Sequence, residues 1–118
     1  MGRLSTHVLD TARGVPAAGM VVELHWCESD GTRKRLRSVT TNSDGRTDGP
    51  LLQDAELLAG TYELLFRAGD YLRGLKLPLS EPLFLDEIVI RFGVSDLSQN
   101  YHVPLLLSPY GYSTYRGS

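Results

Sequence analysis

The chain has 118 residues, enough for one core, so a single domain spanning 1–118 is expected. Twelve basic residues against 14 acidic ones leave a net charge of -2, which excludes bulk attraction to nucleic acid or to an anionic membrane. Cys27 is the only cysteine, so no intrachain disulfide can form, and no apolar run approaches the ~18 residues of a membrane span.

The first residues, Met1 to His7, contain no apolar stretch of the signal-peptide kind. The final Arg116-Gly117-Ser118 differs from the Ser-Lys-Leu peroxisomal address. With the single cysteine, these features lead to an expected cytoplasmic location.

In chain order, the first run predicts a strand. Leu4, Thr6 and Val8 alternate with Ser5, His7 and Leu9, so His7 shares a face with Ser5. Arg13-Gly14-Val15-Pro16 then reads as a turn. Met20, Val22, Leu24 and Trp26 form the apolar face of a second strand, with Val21, Glu23, His25 and Cys27 opposite. His25 is therefore expected on the surface. The basic run Arg33-Lys34-Arg35-Leu36-Arg37 predicts the solvated face of an edge strand, where charge blocks pairing with other chains.

Thr40 to Gly45 faintly resembles a calcium loop but fails at both ends, because Thr40 and Leu51 would occupy the first and last ligand positions. A tight turn at Asp44-Gly45 is the expectation, and it aims Arg46. A planar guanidinium there suits the oxygens and nitrogens of a flat, oxo-rich heterocycle.

Tyr62, Leu64, Phe66 and Ala68 alternate as a buried strand face, and Ile88, Ile90 and Phe92 do the same. Between them, Gly69 to Lys76 places Leu72 and Leu75 three apart, which predicts a short helix covering one sheet. Tyr101 to Thr114 predicts two strands and a tight turn, with His102 on the face of Pro104, Leu106 and Ser108. Short strands separated by Gly, Pro and Asp turns predict an all-β sandwich.

The chain ends in Tyr115-Arg116-Gly117-Ser118, dense in groups able to act on a ligand where domains usually end in a few fraying polar residues. On the alternation, Tyr115 shares a face with Ser113 and Gly117. No Gly-x-Ser-x-Gly elbow is present, which counts against a serine hydrolase. His7, His102 and Cys27 lack paired-ligand spacing, so no metal is expected. Taken singly, His7 and His102 each read as structural histidines.

Three stretches together change that reading. Leu4-Ser5-Thr6-His7-Val8-Leu9-Asp10 with Gly14-Val15-Pro16-Ala17, the segment Asn42-Ser43-Asp44-Gly45-Arg46-Thr47, and Tyr101 to Ser118 resemble the motifs of 5-hydroxyisourate hydrolases, the transthyretin-like enzymes of urate breakdown. The resemblance runs the whole chain in order. It implies a transthyretin-like sandwich of two four-stranded sheets with one short helix. It also implies a homotetramer, a dimer of dimers, with sites in a channel at the dimer–dimer interface. The implied reaction opens 5-hydroxyisourate to 2-oxo-4-hydroxy-4-carboxy-5-ureidoimidazoline without a cofactor.

By position, the resemblance assigns catalysis to His7, Arg46 and His102, and substrate binding to His7, Arg46, Tyr115, Arg116, Gly117 and Ser118. Either histidine can serve as base. Two other readings stand beside the hydrolase: a carrier, as transthyretin is, and a structural sandwich module. The two histidines and the crowded terminus count against both.

Overall fold

In the first predicted strand, Leu4, Thr6 and Val8 are buried while Ser5, His7 and Leu9 are half-buried, as the alternation requires. A computed structural model describes residues 2–117 and places this run in strand β1, Arg3–Asp10. The strands that follow are β2 (Val15–Pro16), β3 (Val21–Cys27), β4 (Arg33–Thr40), β5 (Leu52–Gln53) and β6 (Gly60–Arg67). A helix α1 (Ala68–Gly74) leads to β7 (Glu87–Val94), β8 (Tyr101–Ser108) and β9 (Gly111–Thr114).

Two sheets result. One has the order β4-β3-β6-β7 and is antiparallel throughout. The other runs β2-β1-β8-β9, with the two-residue β5 also pairing with β1. The expected two four-stranded sheets are thus present, one of them carrying an extra short piece. The fold is the expected transthyretin-like sandwich. Between the sheets lie Leu4, Val8, Met20, Val22, Leu24, Tyr62, Leu64, Phe66, Leu105 and Leu107, each no more than 1% exposed. Each such aliphatic side chain contributes roughly 1.5–3 kcal/mol through burial.

Two features of this frame position the site. First, β1 and β8 run parallel, pairing Ser5 with His102 and His7 with Pro104. Second, the free edge of β1 is covered by three separate pieces instead of one strand: β2 at Leu9 and Asp10, Arg46 at His7, and β5 at Arg3 and Leu4. The broken edge brings the 42–52 loop against the outer face.

The helix begins one residue earlier than expected and ends earlier, burying Tyr71 and Leu72. Strand β4 is an exposed, basic edge strand, as its composition predicts. The outer face of the β4-β3-β6-β7 sheet is more covered than its polarity implies. Glu23 and Glu63 are 8% and 5% exposed, and the His25 side chain only 19%. Arg67 pairs with Glu23, while Arg33 and Arg91 pair with Glu63, so long arginine stems roof over the carboxylates. His25 is therefore half-buried against Glu23, not a free surface group.

Candidate active site

The parallel register sends Ser5, His7 and His102 out of the same face of the β2-β1-β8-β9 sheet. With a strand rise of about 3.3 Å per residue, Ser5 and His7 leave that face roughly 7 Å apart. His102 stands beside Ser5, and its Nδ1 lies 2.9 Å from the Ser5 hydroxyl.

Arg46 arrives from the broken edge. Asn42 Oδ1 accepts hydrogen bonds from the backbone N–H of Asp44 at 2.9 Å and of Arg46 at 3.2 Å, folding the loop on itself. The Gly45 carbonyl then accepts from Val8 N–H at 2.8 Å. Gly45 has φ 74°, and a Cβ there would sit 2.3 Å from the Val8 carbonyl oxygen, so only glycine fits. This clamp sets Arg46 directly opposite His7 in an isolated antiparallel bridge. Residues paired this way project to the same face.

The same loop orients His7. Its Nε2 donates to the Asp44 carbonyl at 2.8 Å, and because a carbonyl can only accept, the proton is on Nε2. In the neutral form of such a ring Nδ1 carries no proton.

His102 is likewise half-buried. Burial lowers its pKa below the ordinary value of 6.5, and the charges of Arg46 and His7 lower it further. Its imidazole is neutral at pH 7. The tail packs behind it: Gly117 N–H donates to the His102 carbonyl at 2.7 Å, and the two residues form an isolated bridge.

A polar cavity of about 460 Å³ opens here, lined by Arg3, Ser5, Arg46, Thr47, Asn100 and His102 among others. Among the described residues no aspartate or glutamate lines it. Two guanidinium-bearing residues and no acid suit an anionic or oxo-rich ligand. No group of three His, Cys, Asp or Glu residues comes close enough to hold a metal ion among the described residues.

The residues singled out from the sequence separate into groups. Arg46 and His102 line the cavity, His7 adjoins it opposite Arg46, and Gly117 backs His102. Tyr115 and Arg116 instead line a second, mainly apolar cavity of about 300 Å³ with Ile90, Phe92, Tyr101 and Val103. The Arg116 guanidinium stacks 4.2 Å from the centre of the Tyr101 ring. It donates to Gln99 Oε1 at 2.7 Å and to the Asn100 carbonyl at 3.1 Å. Ser118 lies outside the described residues. Arg3, Ser5, Thr47 and Asn100 line the cavity without having been singled out as site residues. Ser5 and His102 are separated by 97 positions, and only the strand pairing makes them neighbours.

A neutral imidazole and a guanidinium on one polar cavity, with a second imidazole adjoining it, suit the addition of water to a carbonyl. In such a reaction an imidazole can take the proton and a guanidinium can face the oxyanion that develops.

Similarity to known proteins agrees in kind. A 5-hydroxyisourate hydrolase 2 of Rhizobium meliloti is 58% identical, covering 99% of this chain and 97% of that protein. The crystal structure of a Klebsiella pneumoniae 5-hydroxyisourate hydrolase superposes with TM-score 0.79 at 33% identity, covering 100% of this chain and 94% of the other. A structure of (S)-allantoin synthase superposes with TM-score 0.94 at 42% identity, but this chain, covered over 99% of its length, spans only 44% of that one. The HIUase/Transthyretin family profile matches residues 4–117, and the chain belongs to that family.

Proposed function

We propose that this protein hydrolyses 5-hydroxyisourate to 2-oxo-4-hydroxy-4-carboxy-5-ureidoimidazoline in urate degradation, acting as one domain over 1–118. The observation that carries the reading is the half-buried, neutral His102 beside Arg46 on a cavity that no aspartate or glutamate lines among the described residues, with His7 directly across from Arg46.

His102 is the general base in this reading. Its Nδ1 is engaged by Ser5, which leaves Nε2 to take a proton from water as the oxygen adds to a ring carbonyl. Arg46 stabilises the resulting oxyanion, an effect worth roughly 3 kcal/mol for one well-placed donor. The ring C–N bond then breaks, and the proton held by the imidazole goes to the departing nitrogen. His7, fixed by Asp44, accepts a hydrogen bond from water or substrate through Nδ1. The reaction needs no cofactor.

Gly117 and Arg116 act on the substrate through His102, one by packing and the other by anchoring the tail to Tyr101. Tyr115 lines the neighbouring apolar cavity and, with Ser118, is assigned to substrate binding by the family motif.

The proposed assembly is a homotetramer, a dimer of dimers, in which neighbouring subunits complete each cavity. Its support is the open edge of β7 and β9 together with exposed apolar groups, among them Phe84 at 71% and Tyr110 at 65% exposure. The proposed location is the cytoplasm.

The test uses 5-hydroxyisourate generated in place by urate oxidase, with ultraviolet absorbance followed with and without the protein. The substrate decays unaided, so the protein-free rate is the control. Loss that accelerates in proportion to protein, and falls to the control rate with His102→Asn, supports the assignment. Decay at the control rate with folded wild-type protein refutes it, and full turnover by His102→Asn removes His102 from the role of base.

A further inference from the structure

Ser5 lies at the wall of the proposed site, on the strand next to His102 in parallel register, with its hydroxyl oxygen 2.9 Å from His102 Nδ1. It faces outward, half-buried, away from the apolar core, so its polarity is not required to satisfy a buried backbone group. Its neighbour Thr6 shows the contrast: that hydroxyl points inward and donates to the Val103 carbonyl at 2.7 Å. The Ser5 hydroxyl has a single side-chain partner among the described residues, and that partner is the imidazole.

We infer that Ser5 is a positioning residue for His102: its hydroxyl accepts the Nδ1 proton and so fixes the ring with Nε2 bare toward the cavity. The inference deepens the hydrolase reading and rests on it for its kinetic consequence.

An imidazole left alone in water favours the tautomer with the proton on Nε2. That tautomer is the wrong one for a base working through Nε2. A hydroxyl held beside Nδ1 by strand pairing accepts the Nδ1 hydrogen and biases the ring to the useful form. When Nε2 takes the proton from water, both ring nitrogens become donors. The same hydroxyl then accepts from the charged ring, a stronger bond than before. The groups facing the ring fit this arrangement. From β1 comes His7, and from the 42–52 loop comes Arg46, which bears no acceptor. From the tail comes Gly117, whose backbone engages only the His102 carbonyl.

Two measurements on the full chain test the inference. The first needs no substrate. Nitrogen-15 NMR of histidine-labelled protein at pH 8 reports which ring nitrogen of neutral His102 is protonated. Wild type is expected to show Nδ1–H, and Ser5→Ala to shift toward Nε2–H. A wild-type ring already protonated on Nε2 overturns the inference, whatever the enzyme turns over.

The second is steady-state kinetics with 5-hydroxyisourate. Loss of one hydrogen bond worth about 1.4 kcal/mol corresponds to roughly tenfold in rate. Ser5→Ala is therefore expected to lower kcat about tenfold with KM within about twofold, and Ser5→Thr to restore most of kcat. A Ser5→Ala variant with unchanged kcat, or one altered only in KM, overturns the positioning role. If wild type itself shows no turnover, the hydrolase reading fails, and the NMR result still decides the Ser5–His102 pairing.

Discussion

Replacing Gly117 with alanine tests how the tail supports the site. A Cβ at 117 would lie 2.6 Å from His102 Cδ2, 3.2 Å from Cγ and 3.3 Å from Cβ. Carbon atoms in comfortable contact sit about 3.5–4.0 Å apart. The nearest pair therefore falls short by about 1 Å. Either the imidazole moves by that amount or the tail lifts and loses the 2.7 Å bond from Gly117 N–H to the His102 carbonyl. A catalytic group displaced by about 1 Å costs about a hundredfold in rate. The lost bond costs only about 1 kcal/mol of stability, which for a domain of this size lowers Tm by about 4 °C. The expected result is a kcat about a hundredfold lower with Tm within a few degrees of wild type. The assay pairs 5-hydroxyisourate turnover with thermal unfolding followed by circular dichroism. Wild-type kcat in Gly117→Ala would refute the packing argument. So would an activity loss matched by a collapse in Tm, since the defect would then be unfolding.

Three further outcomes are expected. With burial, Arg46 and His7 depressing the His102 pKa, a base at this position must be neutral to act, so the acid limb of kcat/KM should be centred below pH 6.5; an acid limb centred above 6.5 contradicts the assignment. Arg3 is an exposed cation lining a cavity without aspartate or glutamate among the described residues, so Arg3→Gln should raise KM about threefold at low ionic strength and flatten its salt dependence, with kcat unchanged; an equal KM at all salt concentrations counts against charge capture. The hydrogen bond from Arg33, with that from Arg91, holds Glu63 below the usual carboxylate value of 4.5, so its contribution is complete above that pH and is lost as pH falls through the lowered value. Glu63→Gln should cost about 1–2 kcal/mol in urea unfolding at pH 7, limited because both arginines are more than half exposed, and the cost should shrink in acid.

Strand identities were legible because burial on one face imposes a period of two: β1 and β7 follow it in burial, while β3, β6 and β8 follow it in their apolar positions although parts of their other face are also covered. Direction and partner are not encoded in that period. Nothing in the alternation of Leu4 to Leu9 says that its neighbour is Tyr101 to Leu107, nor that the two run parallel. Ser5 was therefore visible only as a companion of His7, and its pairing with His102 emerged from the register. The Asp44-Gly45 turn was legible from its dipeptide, whereas its docking on Val8 and His7 depends on a long-range hydrogen bond. Tyr115 and Arg116 were assigned to substrate binding by position in the family motif, and in the structure they line the neighbouring apolar cavity. The Tyr101 ring gives Arg116 a cation–π partner away from His102. Polarity misdirected the reading of His25, because arginine stems can cover carboxylates as effectively as apolar groups do.

The parallel pairing of β1 with β8 also has a kinetic side. Ser5 and His102 are 97 positions apart, and the contacts that join them close nearly the whole chain into one loop. Non-local pairing of this kind forms slowly, after the entropy of loop closure has been overcome. During synthesis, β1 leaves the ribosome long before its partner exists and spends that interval with an unpaired edge. The antiparallel sheet β4-β3-β6-β7 can assemble meanwhile from nearer segments. Catalytic competence is thus a late event in the life of each molecule, and partially folded or nascent chains are silent toward the substrate until the two ends have met.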